Sequence, residues 1–307
     1  MRVRFAGIEL RNPIIAASGT FGYGIEFEDI VSLDRIGGLV TKGLSREPMD
    51  GNPTPRLIET ASGMLNSIGL QNIGVAAFLE KKLPSLANYP GCAVIANVFG
   101  YTVKDYVAVI EALNRAGGIA GYEINASCPN TKHGGQVFGT DMVELATLVF
   151  AAKAAALQRA NPRPVIVKLS PNVTSIAEMA LVAEQSGADG LSLVNTFLAL
   201  AIDAKARRPR IGNVTGGLSG PAIKPIALRM VYETAKTVRI PIMGLGGVVT
   251  AEDAVEFLLA GATAVQVGTA SYADPRAVER LAKGLEQWCV KHDVEKVASL
   301  TGGLEVG

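Results

Sequence analysis

Cys128 sits in the stretch Glu123-Ile124-Asn125-Ala126-Ser127-Cys128-Pro129-Asn130, where an apolar run with strand character ends in a polar loop. A thiol can serve as a base or a nucleophile, and the carboxamides around it present a donor and an acceptor side by side. That combination suits a small polar molecule. A cysteine by itself reads more readily as a half-buried structural residue, so its surroundings must carry the argument. The residues that follow, Lys132, His133, Gly134, Gly135, Gly139 and Asp141, are loop-forming rather than core-forming. Lys42 and Lys168 each close an apolar run, where an ammonium needs an anionic partner or an exit to solvent.

The elements that must position these groups alternate along the chain. Arg2–Leu10 and Pro13–Ala17 flank Arg11-Asn12 and read as a hairpin leading into the first strand. Ile36–Thr41 is a second buried strand, and Pro48–Leu70 is a long polar insertion with a β-like piece at Pro55–Thr60. Insertions of that length in compact domains tend to be functional. Helical patterns at Ile73–Leu83, Val103–Ala116, Met142–Ala160, Ser175–Ser186, Ile223–Val238, Ala251–Leu259 and Pro275–His292 separate short apolar runs. Those runs are Ala93–Val98, Gly121–Asn125, Val165–Leu169, Gly190–Val194 (then a long loop), Pro241–Gly244 and Ala264–Val267. Eight short buried strands in 307 residues predict an α/β TIM (β/α)8 barrel with an N-terminal hairpin and inserted loops at the C-terminal face. No linker or repeat divides the chain, so residues 1–307 are expected to form one domain. A doubly wound sheet would place its glycine-rich loop after the first strand; here the glycine pairs come late.

Composition narrows the class. Hydrophobic residues make up 49%, charged residues 19%, and the net charge of +1 gives no field for nucleic acid or an anionic membrane. Three cysteines, Cys92, Cys128 and Cys289, form no disulfide framework and suit a reduced cytoplasmic setting. Met1–Phe5 alternates like a strand, so no signal peptide is expected, and no apolar run approaches the roughly 20 residues of a spanning helix, so no membrane span is expected either.

In a barrel the reacting groups lie at the C-terminal ends of the strands. Those positions hold Ser18-Gly19-Thr20, Thr41-Lys42-Gly43, Asn97, Asn125 to Cys128, Lys168, Asn195-Thr196, Gly246-Gly247 and Gly268-Thr269. Any one is a plausible turn residue; together on one rim they are not what packing asks for. The glycines after strands seven and eight let backbone N–H groups approach a phosphate, with the helix beginning near Thr250 adding its positive end. Lysines beside a phosphate-bearing aromatic cofactor would stabilise charge on its reduced ring. Alternatively Lys168 would form a Schiff base, as in barrel aldolases, which leaves Cys128 and the asparagines at 66, 97, 125 and 195 idle.

With these residues in place the chain resembles dihydroorotate dehydrogenase, an FMN-dependent TIM-barrel family of pyrimidine biosynthesis. The matching stretches are Ala17–Gly22, Asn66–Asn72, Asn125–Asn130, Val167–Asn172, Gly216–Pro221 and Gly268-Thr269. The resemblance implies that Cys128 takes the C5 proton of dihydroorotate while a hydride leaves C6 for the flavin. It also implies that Ser18, Lys42, Gly43, Asn97, Asn125, Lys168, Val194, Gly220, Gly246, Gly247, Gly268 and Thr269 line the FMN. Lys42, Asn66, Ser67, Ile68, Gly69, Leu70, Asn125, Asn195 and Thr196 would hold the pyrimidine. No metal is implied. Closure of the loop Thr131–Gly139 would exclude water during the reaction, with His133 either a participant or a plain surface residue.

Membrane-bound members carry a hydrophobic N-terminal extension and a serine at the base position, unlike Cys128. The stretches Thr131–Gly135 and Phe138–Asp141 resemble the NAD-linked type. In that type two barrels assemble with two partner subunits carrying FAD and a 2Fe-2S cluster. This sequence has neither a cysteine cluster nor a dinucleotide fingerprint, so such parts would belong to another chain. The alternatives are a fumarate-linked homodimer, a dihydrouridine synthase, the barrel domain of a dihydropyrimidine dehydrogenase, and a non-catalytic flavin-binding protein. A tRNA-acting synthase would need a basic surface, and the dihydropyrimidine enzyme a much longer, cysteine-rich chain.

Overall fold

The computed structural model describes residues 1–127 and 138–306. Eight parallel strands close into a barrel: Ile14–Ala16, Gly38–Val40, Ala93–Val98, Gly121–Asn125, Val165–Lys168, Gly190–Leu193, Ile242–Leu245 and Ala264–Val267. Closure is direct, since Val265–Val267 pairs in parallel with Ile14–Ala16. These strands are buried on both faces, which explains their largely unbroken Val, Ile, Leu and Ala content. This is the TIM barrel.

Among the described residues, seven longer helices wrap the strands: Gly74–Lys81, Val103–Asn114, Met142–Ala156, Ile176–Gln185, Lys224–Ala235, Ala251–Leu259 and Ala277–Lys291. Between the first two strands stand only the 3₁₀ turns Ile25–Phe27 and Leu33–Arg35. Several helices start where local chemistry dictates. Thr102 with Asp105, and Thr250 with Asp253, form reciprocal capping boxes, and Asp141 and Ser175 cap their helices through side-chain oxygens. Among the described residues no helix is long and apolar enough to cross a membrane.

The hairpin differs from the expectation. Its strands are Val3–Phe5 and Ile8–Leu10, and the turn is Ala6-Gly7 rather than Arg11-Asn12. Both turn residues have positive φ, 47° and 87°, which suits the twist of a two-residue hairpin. Phe5 and Ile8 plug the barrel's N-terminal end; a Cβ at Gly190 would lie 2.8 Å from Phe5, and one at Gly121 3.0 Å from Ile8.

A second difference matters more for function. The insertion after barrel strand two holds two strands, Leu57–Thr60 and Gly63–Asn66, not one β-like piece. The segment after strand six, read as a loop, holds Phe197–Leu200 and Thr215–Ser219, with a short ribbon of Ile202–Asp203 and Arg208–Pro209 between them. The four longer strands join into one antiparallel sheet through the registers Phe197↔Leu218, Gly217↔Asn66 and Glu59↔Met64. Neither insertion can bury its polar backbone alone, so each supplies the other's ladder.

Candidate active site

Around the C-terminal mouth many of the rim residues are linked by contacts among the described residues. From the end of strand two, Lys42 is anchored by its N–H donating to Gly22 O at 2.9 Å. A Cβ on the neighbouring Gly43 would lie 3.1 Å from Asn97 Oδ1. Asn97 Nδ2 donates to Glu123 Oε1 at 2.7 Å, and the Lys168 ammonium lies 3.9 Å from the same oxygen. The Lys168 carbonyl accepts from Ser127 Oγ at 3.0 Å. Asn125 Oδ1 accepts from Asn195 Nδ2 at 3.3 Å, and Asn195 Oδ1 accepts from the Thr196 N–H at 2.9 Å. A Cβ at Gly217 would fall 2.0 Å from Thr196 Oγ1, and the Gly217 carbonyl accepts from Asn66 Nδ2 at 3.2 Å. Three asparagines from distant parts of the chain therefore share one side of the mouth.

Glycines make the other side. Gly246 and Gly247 have φ of 136° and 78°, and Gly220 has 94°, all in the region that favours glycine. A Cβ on Gly247 would come 2.7 Å from Gly220 O, and one on Gly220 would lie 2.7 Å from Gly63 Cα. Thr269 Oγ1 donates to Ser219 Oγ at 2.8 Å, and Gly268 faces Ala17, next to Ser18. The helix Ala251–Leu259 starts just beyond. Val194, at the end of strand six, is buried. Ser67, Ile68, Gly69 and Leu70 lie in the insertion after strand two: Ser67 N–H donates to Arg56 O, Ile68 O accepts from Asn52 N–H, and Leu70 Cδ2 would lie 3.9 Å from a Cβ at Gly43.

The charges have definite partners. Burial pushes the Lys42 amine below its ordinary value of 10.5, and the nearby Arg56 adds to that, against a smaller opposing effect of Glu26. Lys224 bonds Asp253 at 2.6 Å and Glu256 at 2.9 Å. Burial alone would raise the Asp253 carboxyl; Lys224 and the backbone N–H groups of Thr250 and Val249 outweigh it and hold it low. Cys92 and Cys289 are buried, free thiols away from the mouth. Burial is the main cause that pushes Cys92 up to about 12, and it raises Cys289 as well.

Cys128, Pro129, Asn130 and residues 131–137, with His133, lie outside the described residues. The chain on either side is well anchored. Tyr106 Oη donates to Asn125 O at 2.8 Å, the ring of Phe138 packs edge-on against Tyr106, and a Cβ at Gly139 would meet Ala126 O at 2.8 Å. Residues 127 and 138–139 are thereby held near one another beside Asn125 and Lys168.

A buried polar cluster was not expected from the sequence. Glu123, Ser192 and Gln266 point into the barrel, buried at 0%, 0% and 1% exposure, directly beneath the mouth. Ser192 Oγ and Gln266 Nε2 both donate to Glu123 Oε2, at 2.7 and 2.8 Å. Its signal in the sequence is a Glu, a Ser and a Gln inside the otherwise apolar strands GYEIN, GLSL and AVQV.

The mouth has features that would suit a flavin. Asn97 Oδ1 is buried with no partner among the described residues and so awaits a donor, as does Ser67 Oγ. At the turn after strand seven only glycine fits, since a Cβ would lie 2.6 Å from Ala227 Cβ at Gly246 and 2.7 Å from Gly220 O at Gly247, and the turns after strands seven and eight stand where barrels of this kind hold a phosphate. A separate cavity of about 890 Å³ opens at the barrel's opposite, N-terminal end beside Glu9, Cys92, Lys153 and Asp189. It is remote from these groups.

Residues 1–288 match the family model described as dihydroorotate dehydrogenase. Over 299 residues the chain is 60% identical to a putative dihydroorotate dehydrogenase A (fumarate) of Solibacter usitatus, covering 97% of this chain and 96% of that one. It is 54% identical over 306 residues to the dihydroorotate dehydrogenase B (NAD(+)) catalytic subunit of Citrifermentans bemidjiense, covering 100% and 98%. The corresponding catalytic subunit of Geobacter sulfurreducens is 53% identical over 306 residues, again covering 100% and 98%.

Proposed function

The chain belongs to the dihydroorotate dehydrogenase family, and we propose that it oxidises dihydroorotate to orotate in pyrimidine biosynthesis, with FMN in the barrel mouth and Cys128 as base. The observation that carries this reading is the gathering of two kinds of group at one mouth. Glycine turns follow strands seven and eight, and Asn66, Asn125 and Asn195 are brought to the same mouth by the small sheet and by strands four and six.

FMN, when bound, supplies a two-electron hydride acceptor. Gly246, Gly247, Gly268 and Thr269 would hold its phosphate; Ser18, Lys42, Gly43, Asn97, Asn125, Lys168, Val194 and Gly220 would line the rest. Asn97 Oδ1 offers it a ready acceptor. The substrate's amide edges match the paired donors and acceptors of Asn66, Asn125 and Asn195, with Thr196 and residues 67–70 closing the pocket. Lys42, partly desolvated, gains most by meeting the substrate carboxylate. The C5 proton is weakly acidic, so it needs a close and oriented base. Cys128 follows directly on Ser127, which is tied to the Lys168 carbonyl beside Asn125.

For the electron acceptor, we favour NAD reached through a partner subunit with FAD and a 2Fe-2S cluster, in an assembly of two barrels and two partners in the cytoplasm. The support is the Thr131–Gly135 sequence and the relatives named as catalytic subunits. The second reading, fumarate as direct acceptor, is favoured by the name of the 60% identical relative.

The test uses the chain expressed alone and an anaerobic visible spectrum. Dihydroorotate should bleach the flavin band. Rapid reoxidation by fumarate would select the second reading, whereas slow reoxidation by fumarate and none by NAD until the partner is added would select the first. A flavin that dihydroorotate leaves oxidised in both the lone and the partnered chain would overturn the activity.

A further inference from the structure

A carboxylate at the centre of a barrel, with no exposure, is costly unless hydrogen bonds and an opposite charge compensate it. Glu123 directs its acceptor sites to groups from four other strands: Asn97 from strand three, Lys168 from five, Ser192 from six and Gln266 from eight. Gln266 also donates to Ser192 Oγ at 3.1 Å, so the cluster is cross-linked. Two of these partners, Asn97 and Lys168, line the mouth, and the other two lie beneath it.

The chemistry of a carboxylate fixes what its neighbours present. An ionised carboxylate only accepts, so each carboxamide must turn its nitrogen toward Glu123 and its oxygen away. The result is visible in two buried acceptors without partners among the described residues, Asn97 Oδ1 and Gln266 Oε1. Asn97 Oδ1 points toward Gly43, at the rim, where glycine leaves room. The same carboxylate lies 3.9 Å from Lys168 and offsets part of the positive field that the ammonium projects into the mouth.

We propose that Glu123 is a positioning and tuning residue for the flavin: it locks Asn97 as an acceptor toward the cofactor, holds Lys168 in place, and its charge lowers the flavin's reduction potential. This rests on the FMN reading above. Removing a buried negative charge beside an electron acceptor favours reduction. Replacing Glu123 by the isosteric, neutral Gln should therefore raise the potential.

The measurement is made on purified holoprotein, by sulfite titration of the visible flavin band and by the FMN midpoint potential, neither of which depends on turnover. Glu123→Gln should bind sulfite about tenfold more tightly, with a midpoint about 30 mV higher for a two-electron couple. Values within twofold of the parent, or weaker sulfite binding, would overturn the inference while leaving FMN binding intact. Should Glu123→Gln yield no folded flavoprotein, Ser192→Ala decides. It keeps the charge but removes a hydroxyl donor from Oε2, so sulfite should bind about threefold more weakly; an unchanged affinity overturns the inference. A parent chain that takes up no FMN overturns the cofactor reading itself, and this inference with it.

Discussion

At the scale of single residues, charge and proton affinity decide the outcome. Cys128→Ser replaces a thiol by a far weaker acid, and flavin reduction by dihydroorotate should slow by about 10²–10⁴-fold near neutral pH. Anaerobic stopped-flow measures this directly. Lys42 gives a pH signature. Its amine titrates below 10.5, and only the ammonium attracts a carboxylate. Orotate affinity should therefore fall as pH rises through that lowered value, earlier than for an ordinary lysine. Lys42→Met should bind orotate roughly 10- to 100-fold more weakly, as loss of a charge-assisted bond implies, and should lose the alkaline dependence. Titrating flavin absorbance with orotate across pH would expose either failure.

At the scale of elements, the four-stranded sheet and the helix after strand seven make separable contributions. Gly217 lies where a Cβ would sit 2.0 Å from Thr196 Oγ1. Gly217→Ala should push Thr196 out of place and raise the KM for dihydroorotate about tenfold, with FMN affinity within twofold of the parent. Steady-state kinetics and FMN fluorescence titration distinguish the two. Asp253 both caps the helix Ala251–Leu259 and pairs with Lys224. Its carboxyl is held below 3.8 in the folded chain. Its stabilisation is thus complete above the unfolded value and is lost as pH falls through the lower folded one. Asp253→Asn should cost about 1–2 kcal/mol at neutral pH, and its acid unfolding should lack that component of the pH dependence. Urea titrations at two pH values give both quantities.

At the scale of the whole molecule, the mouth is lined by groups from nearly every strand, so filling it should stabilise the barrel as a unit. FMN at a hundredfold excess over its Kd should add about 2.7 kcal/mol, seen as a rise of several degrees in the unfolding temperature of the reconstituted apoprotein. No rise would mean that the mouth is not a cofactor site.

What the sequence determined follows from local rules. Buried parallel strands must be apolar, surface helices are amphipathic and capped, and glycine is favoured where φ is positive. Those rules sufficed for the barrel and for its order of strands, and they set the expectation of rim residues from Ser18 to Thr269. The family resemblance added the roles expected of Cys128 and of the asparagines, which residue types and strand ends had already singled out. Three matters were decided only by tertiary structure. The hairpin turned at Ala6-Gly7 because two successive residues there adopt positive φ, which Arg11-Asn12 only imitated in composition. The small sheet was illegible because its strands Gly63–Asn66 and Thr215–Ser219 lie some 150 residues apart, as the Asn66–Gly217 separation of 151 records, and neither is stable without the other. The Glu123 cluster was hidden for a related reason. A single polar residue inside an apolar strand has no meaning until closure of the barrel brings Asn97, Lys168, Ser192 and Gln266 to the same carboxylate.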